Sequence, residues 1–311
     1  MSVDNTLIVP VEVAALAVNR TTRDTGTPHV FHRWITNFSS IGDGIPPEPA
    51  PFSSPEEWTG REDRLGVYLQ WELPAALTRG HHDEEEGVGD FPLVPNRWLV
   101  VRHTDSTRTL KAWIVESDYL DPENGSVSFQ DPDFDPNADP DSGGSAATKI
   151  GRCHELAGPW SEPTGRRAPF LTAIGPGLLT FSVFQPYNSN VFSFHDTLLD
   201  TPDGELPAQE RLSYLVVGWY ADPDADILAG TDDLAALLER LQWTPPVSSG
   251  SGIRASVYSG TVLHLDWDLT GPVPDSPCPA PADITPIVSN SVADAVAELG
   301  AKADGQGALS G

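Results

Sequence analysis

The chain of 311 residues contains few methionine, cysteine and basic residues. Its single Met is at position 1, so it lacks the soft Met-rich surface that promiscuous helix-binding proteins use. Its two cysteines, Cys153 and Cys278, are too few and too far apart in sequence to indicate a disulfide framework or a zinc site. The sequence also lacks an uninterrupted apolar run of about 18 residues, which predicts that no segment inserts into a membrane.

Basic residues are outnumbered by acidic ones, 18 against 45, which gives a formal net charge of −27. This charge repels polyphosphate and anionic lipid headgroups, so we expect no nucleic-acid partner. It is typical of a soluble acidic surface, and it also suits a cation or a basic protein partner. The N-terminus lacks a positive segment, and Pro10, Glu12 and Asn19 interrupt its apolar run. We therefore predict no signal peptide, and a protein that is cytoplasmic or released as part of a particle.

Strand-forming segments separated by turn residues are abundant. The 30 prolines and 27 glycines predict many turns and few long helices. Alternating Leu7, Val9 and Val11 predict a strand over residues 6–18. Further strands are predicted at 65–73, 97–103, 110–116, 170–184, 191–194 and 212–220, with a hairpin of 254–258 and 261–267 about Ser259-Gly260. We expect a mainly β protein, with α+β as the alternative, whose core is an antiparallel β-sandwich with a few short helices.

The predicted domain organisation is one β-rich domain over residues 1–271, with an acidic loop inserted at 121–149. A Pro-rich linker at 272–290 and a helix within 291–311 follow, and the helix is expected to lead towards a C-terminal region absent from this sequence. Two other helices are predicted. One starts after Pro74, and a leucine stripe between 231 and 241 marks the other.

Oxygen ligands suited to calcium occur at alternate positions of the acidic loop. These are Asp131, Asp133, Asp135, Asn137 and Asp139. The segment departs from an EF-hand loop, because the sixth position is proline rather than glycine and the twelfth is serine rather than glutamate. Calcium is the one cofactor that the sequence suggests, and a stiff solvated loop is the alternative interpretation. The polar run of residues 81–86 is interpreted as a solvated loop as well.

Nucleophilic catalysis has two candidate groups, Cys153 beside His154, and Ser193 near His195 and Asp196. Adjacent residues of a strand point to opposite faces, so Cys153 and His154 would not act together in an extended segment. The sequence contains neither G-x-S-x-G nor a phosphate-binding glycine loop. These residues do not predict a hydrolase.

Carboxylates and tryptophans could serve a glycoside hydrolase or a carbohydrate-binding module. The candidate carboxylates are Glu72, Glu116, Asp266 and Asp268, and the candidate tryptophans are Trp58, Trp71, Trp98 and Trp267. A catalytic pair is recognised by its separation in space, and buried core is the commoner role of tryptophan. We interpret Trp71, Arg97 and Trp98 as residues of the core and of an interaction surface.

Four segments of the chain resemble the N-terminal regions of a group of long, uncharacterised bacterial proteins: GVYLQWELPAALTRG, FPLVPNRWLVV, NVFSFHD and LSYLVVGWYADP. The resemblance covers most of residues 1–300 and implies an association with phage-tail-like contractile injection particles, but no activity. We therefore expect a non-enzymatic structural or protein-interaction module with protein partners in a large assembly. Two alternatives remain open: a carbohydrate-binding module or glycoside hydrolase, and a calcium-dependent adhesion or toxin-associated domain.

Overall fold

The computed structural model describes part of the chain, namely residues 6–25, 61–78, 80–82, 89–120, 127–130, 147–168, 170–173, 175, 189–200, 204–229 and 255–272. All of these belong to the first of two compact units, Met1–Val273, and the second unit is Pro274–Gly311. The calcium segment 131–139, the helix of 231–241, most of the strand 170–184, and the predicted linker and terminal helix beyond residue 272 lie outside the described residues.

The described part of the chain forms twelve strands and short helical segments. The strands are β1 (Thr6–Pro10), β2 (Glu12–Val18), β3 (Gly66–Glu72), β4 (His81–His82), β5 (Gly89–Asp90), β6 (Arg97–Thr104), β7 (Thr109–Leu120), β8 (Val127–Gln130), β9 (Ala147–Glu155), β10 (Ser193–Asp196), β11 (Gln209–Trp219) and β12 (Ala255–Asp268). The α-helices are α1 (Arg20–Thr25) and α2 (Ala75–Thr78), and the 3-10 turns are Glu62–Arg64 and Pro223–Ala225.

Two sheets contain ten of these strands. The large sheet has the order β1-β12-β11-β6-β7-β9-β8, and the small sheet has the order β10-β3-β2. Neighbouring strands are antiparallel except β1 and β12, which run parallel. The remaining two strands, β4 and β5, pair with each other, and β4 lies in the run of residues 81–86 interpreted as a solvated loop. The mainly β, sandwich-like prediction is confirmed.

The N-terminal strand predicted over residues 6–18 divides between the two sheets. β1 pairs with β12 in the large sheet and β2 pairs with β3 in the small one, with Val11 between them. The backbone N–H of Val11 donates to the carbonyl oxygen of Ser259 at 3.0 Å. A Cβ atom on Gly260 would collide with the Val11 carbonyl oxygen, so glycine permits this close approach.

The predicted hairpin about Ser259-Gly260 is therefore wrong. β12 runs without a turn from Ala255 to Asp268, and β11 pairs along it with one irregularity at Leu212–Tyr214. Gly260, which indicated a turn in the sequence, instead allows the N-terminal segment to approach β12 closely. The inserted loop is also shorter than predicted, because β8 and the first residues of β9 lie inside 121–149. Alternating Val127 and Phe129 were the missed signal.

Aromatic side chains fill the space between the sheets. Trp71 of the small sheet and Trp98 of the large sheet are fully buried, and their ring centroids lie 5.2 Å apart. The Trp98 ring lies edge-on to Phe192 at 6.5 Å and covers Gly218, where any Cβ atom would meet it. This layer fixes the small sheet over the inner face of the large one.

Candidate functional site

A cleft of about 500 Å³ opens beside β10, the strand at which the small sheet ends. β7 contributes Lys111 and Trp113, and β9 contributes Cys153 and Glu155. β10 and the segment that follows it close the other side, with Phe194 and Asp200 among their lining residues. The volume is within the range of about 300–1,000 Å³ that is usual for small-molecule sites.

A buried ion pair holds the wall of the cleft. Arg102 Nη1 donates to both carboxylate oxygens of Asp196 at 2.9 and 2.8 Å, and Arg102 Nη2 donates to Asp200. Asp196 also accepts from the Tyr214 hydroxyl at 2.9 Å and the Leu198 N–H at 3.1 Å. Burial lowers the pKa of Arg102, but the two carboxylates outweigh it and raise that pKa. Burial raises the pKa of Asp196, and its donors oppose this effect.

The floor of the cleft combines an aromatic ring with charged groups. The centroids of the Trp113 and Phe194 rings lie 4.9 Å apart. The Lys111 ammonium lies 5.4 Å from the centroid of the Trp113 ring. The same ammonium lies 3.0 Å from a carboxylate oxygen of Glu155 and 3.6 Å from one of Asp200. Although burial alone would raise the pKa of Asp200, Arg102 and Lys111 hold it below its usual value. The structure thus brings the carboxylates of Glu155 and Asp200 close to the Lys111 ammonium, beside the Trp113 ring.

The first candidate nucleophile does not meet its predicted base. Cys153 lines the cleft, where burial raises the pKa of its thiol to about 12, so the thiol is protonated at neutral pH. His154 Nδ1 instead lies 3.8 Å from Glu116, a buried carboxylate that Arg152 also contacts. The expectation that adjacent residues of a strand would not act together holds for this pair.

The second candidate group, Ser193, His195 and Asp196, is not assembled either. His195 Nε2 lies 3.0 Å from the Leu65 carbonyl oxygen, and the ring stacks on Tyr68 with centroids 4.0 Å apart. A carbonyl can only accept, so the imidazole carries its proton on Nε2. Asp196 is engaged by Arg102 and Tyr214. Burial lowers the pKa of His195 to about 4.

This low pKa predicts a specific pH dependence. Because the folded state disfavours protonated His195, the unfolded chain takes up a proton first, and stability is lost as the pH falls from about 6.5 to about 4. We expect His195→Gln to remove up to about 1.4 kcal/mol per pH unit from the slope of unfolding free energy against pH in this window. Urea unfolding at several pH values measures the slope. His264→Gln removes an exposed histidine and is the matched control, and an identical slope in both variants would contradict the burial of His195.

The predicted sugar-binding residues are not the ones at the cleft. Trp71, Trp98 and Trp267 are fully buried, and Trp58 lies outside the described residues. The predicted carboxylates are dispersed: Glu116 is buried against Arg152, whereas Asp266 is exposed and bonded to Arg211 at 2.9 Å. Sequence reasoning missed Trp113, Glu155 and Asp200. The available signal was the spacing of Lys111 and Trp113, which share a face of the predicted strand 110–116.

The predicted interaction residues are all internal. Trp71 and Trp98 belong to the core, and Arg97 is fully buried although it is charged. Its guanidinium contacts Asp118 and donates to Glu162 at 2.6 Å. None of the three presents a side chain to a partner. In the described ranges, no group of three or more His, Cys, Asp or Glu residues is arranged to hold a metal ion.

An exposed apolar patch does occur on the outer face of the large sheet. We define the patch as Val101, Leu110, Leu215 and Leu263. Leu110 is 70% exposed, Leu263 66% and Leu215 37%. Leu215 is paired in register with Val101 on one side and with Thr261, two residues before Leu263, on the other. His103, two residues after Val101, is paired with Leu110. The side chains of Tyr214 and Val216 point to the core, so alternation directs Leu215 outward.

Charged side chains surround the patch. Asp105 lies 3.1 Å from His103, and Asp266 pairs with Arg211. Carboxylates therefore predominate among these rim residues. An apolar centre with a polar rim is the usual anatomy of a protein interface.

Searches for related proteins and for membrane-spanning segments give negative results. Within the described residues, no helix combines the length and the apolar character needed to cross a membrane. No protein-family model matches the chain, and neither the curated proteins nor the solved structures that were compared with it gave a match.

Proposed function

We propose that this protein is a non-enzymatic interaction module that joins a larger protein assembly through its apolar patch. The observation that carries the proposal is the exposure of Leu110 and Leu263 on the outer face of the large sheet. Large apolar side chains concentrated on one face favour a partner surface that removes them from water, at about 25 cal/mol per Å². The candidate bases are engaged elsewhere, His154 near Glu116 and His195 with the Leu65 carbonyl oxygen and the Tyr68 ring, which supports a non-enzymatic role.

The expected partner is a protein with an apolar centre and a basic rim. Asp105 and Asp266 make the rim of the patch acidic, and the whole chain carries a net charge of −27. Complementary charge increases the association rate and disfavours acidic competitors. The resemblance of the sequence to proteins associated with contractile injection particles supports another protein of such a particle as this partner.

The test uses the intact chain and the proteins encoded beside it, each purified separately. We expect native mass spectrometry to detect a complex with at least one of them, and its affinity to fall with increasing salt. Leu110→Asp should weaken the complex at least about tenfold, because a carboxylate would enter an apolar interface.

Ile8→Asp is the matched control. Ile8 is 70% exposed and lies on β1 at the edge of the sheet, paired with Val257 rather than with the patch. It therefore introduces the same charge outside the proposed interface. The proposal is overturned if the chain stays monomeric with every candidate, or if the patch variant binds as tightly as the Ile8 variant.

A further inference from the structure

A second surface, the cleft beside β10, has the features of a binding site independent of the apolar patch. It lies on the inner side of the large sheet, where β7 and β9 extend beyond the small sheet, whereas the patch occupies the outer face. The two surfaces share no residue, so the cleft and the apolar patch can be tested independently of each other.

The polar groups of the cleft are held in place before any ligand arrives. Asp200 contacts both Arg102 and Lys111, and Lys111 also contacts Glu155. Arg102 is in turn fixed by Asp196 inside the core. A ligand would therefore lose little conformational entropy in ordering these side chains, which is the usual benefit of a preformed site.

The charges of the cleft argue against an ionic ligand. Three carboxylates, Glu155, Asp196 and Asp200, face two cations, Arg102 and Lys111, so the set is close to neutral. An anion would meet the carboxylates and the net charge of −27 of the chain. A cation would have to displace Lys111 and Arg102, which already lie 5.4 and 5.5 Å from the Trp113 ring centroid.

A neutral polyhydroxylated ligand fits both parts of the lining. Its hydroxyl groups can donate to the carboxylates of Glu155 and Asp200 and accept from Lys111. The C–H bonds of a sugar ring are weakly positive and suit the negative face of an aromatic ring such as Trp113. From these contacts we propose that the cleft binds a short neutral carbohydrate, with the half-buried Trp113 ring in contact with its C–H groups and Glu155, Asp200 and Lys111 bonded to its hydroxyls.

The same geometry favours binding over hydrolysis. A glycosidase needs one carboxyl group that is protonated at the working pH. Lys111 lies between Glu155 and Asp200, and with Arg102 it keeps the pKa of Asp200 below its usual value. Asp200 therefore acts as a hydrogen-bond acceptor rather than as the general acid of a glycosidase.

Isothermal titration calorimetry of the intact chain tests the proposal. The probes are the neutral disaccharides cellobiose, maltose, lactose and N,N′-diacetylchitobiose, with citrate and choline as charged comparisons. At least one disaccharide should bind with a Kd of about 1 mM or tighter, and neither ion should bind. The absence of binding by all four disaccharides, or binding of an ion alone, would overturn the proposal.

Two variants with matched controls locate the binding. Trp113→Ala should weaken binding at least about tenfold, whereas Trp160→Ala, which removes a ring packed against Trp219, should not. Glu155→Gln should weaken it by a similar factor, unlike Asp266→Asn. Glu155 is 55% exposed, so its variant remains informative if circular dichroism shows that Trp113→Ala does not fold. Unchanged affinity in Glu155→Gln, or in a folded Trp113→Ala, would contradict the site.

Discussion

Gly66→Ala is expected to destabilise the protein by about 3 kcal/mol or more. Gly66 begins β3 with φ of +131°, in a region of backbone conformation that is almost restricted to glycine. A Cβ atom there would also collide with the carbonyl oxygen of Asp196 and lie 3.0 Å from the Thr197 Cα. These are backbone atoms, so no side-chain rotation relieves the contact. Urea unfolding followed by tryptophan fluorescence measures the loss.

Two other glycines separate the effects of strain and collision. Gly204 has φ of +66°, and among the described residues no atom lies within 4 Å of the position that a Cβ atom would take, so alanine there should cost about 1–2 kcal/mol from strain alone. Gly158 has similar space without a positive φ, and alanine should change stability by less than about 0.5 kcal/mol. If Gly66→Ala proves as stable as Gly158→Ala, the close approach of β3 to β10 is wrong.

Local sequence patterns predict individual strands better than the contacts between them. Alternation at Leu7, Val9 and Val11 predicts the first segment, and the polar residues 104–109 predict the turn that joins β6 to β7. No local pattern indicates that the first segment divides between two sheets. This division depends on Gly260, about 250 residues away, which a local interpretation assigns to a turn.

The cleft is still harder to predict, because it depends on how the two sheets pack. Lys111 and Trp113 share a face of one strand, and that much follows from alternation. Phe194 and Asp200 reach them only because β10 pairs with β3 and the small sheet covers the large one. Trp113 and Phe194 are about 80 residues apart in the sequence, and no local pattern indicates that they are close in the fold. The carboxylates considered from the sequence therefore do not line the cleft, which has Glu155, Asp196 and Asp200 instead.

Buried charge is the other feature that local patterns conceal. Arg97 and Arg102 occur in a predicted strand whose remaining residues are largely apolar, and an arginine at a strand end usually reaches solvent. In the structure both are buried, and their carboxylate partners come from distant positions: Asp118 and Glu162 for Arg97, Asp196 and Asp200 for Arg102. Such pairs contribute little net stability when complete, but breaking one leaves an uncompensated charge.

Arg102→Met should therefore cost about 3–5 kcal/mol at pH 7. The substitution keeps much of the side-chain volume but leaves Asp196 buried without its cation. The double variant Arg102→Met/Asp196→Asn removes the orphaned charge, and its Asn side chain can still accept from Tyr214 or Leu198. We expect it to be more stable than Arg102→Met alone, with a coupling of about 1–3 kcal/mol in a double-mutant cycle.

The pH dependence of the single variant provides an independent readout. Without Arg102, burial raises the pKa of Asp196 unopposed by its strongest partner. A carboxyl group whose folded pKa lies above its unfolded value favours the folded state at low pH and loses that contribution as the pH rises. The stability deficit of Arg102→Met should therefore shrink between pH 7 and about pH 4, whereas the double variant, which has no carboxyl at position 196, should show no such recovery. A deficit independent of pH in Arg102→Met would mean that lost packing, rather than the orphaned Asp196, causes the destabilisation.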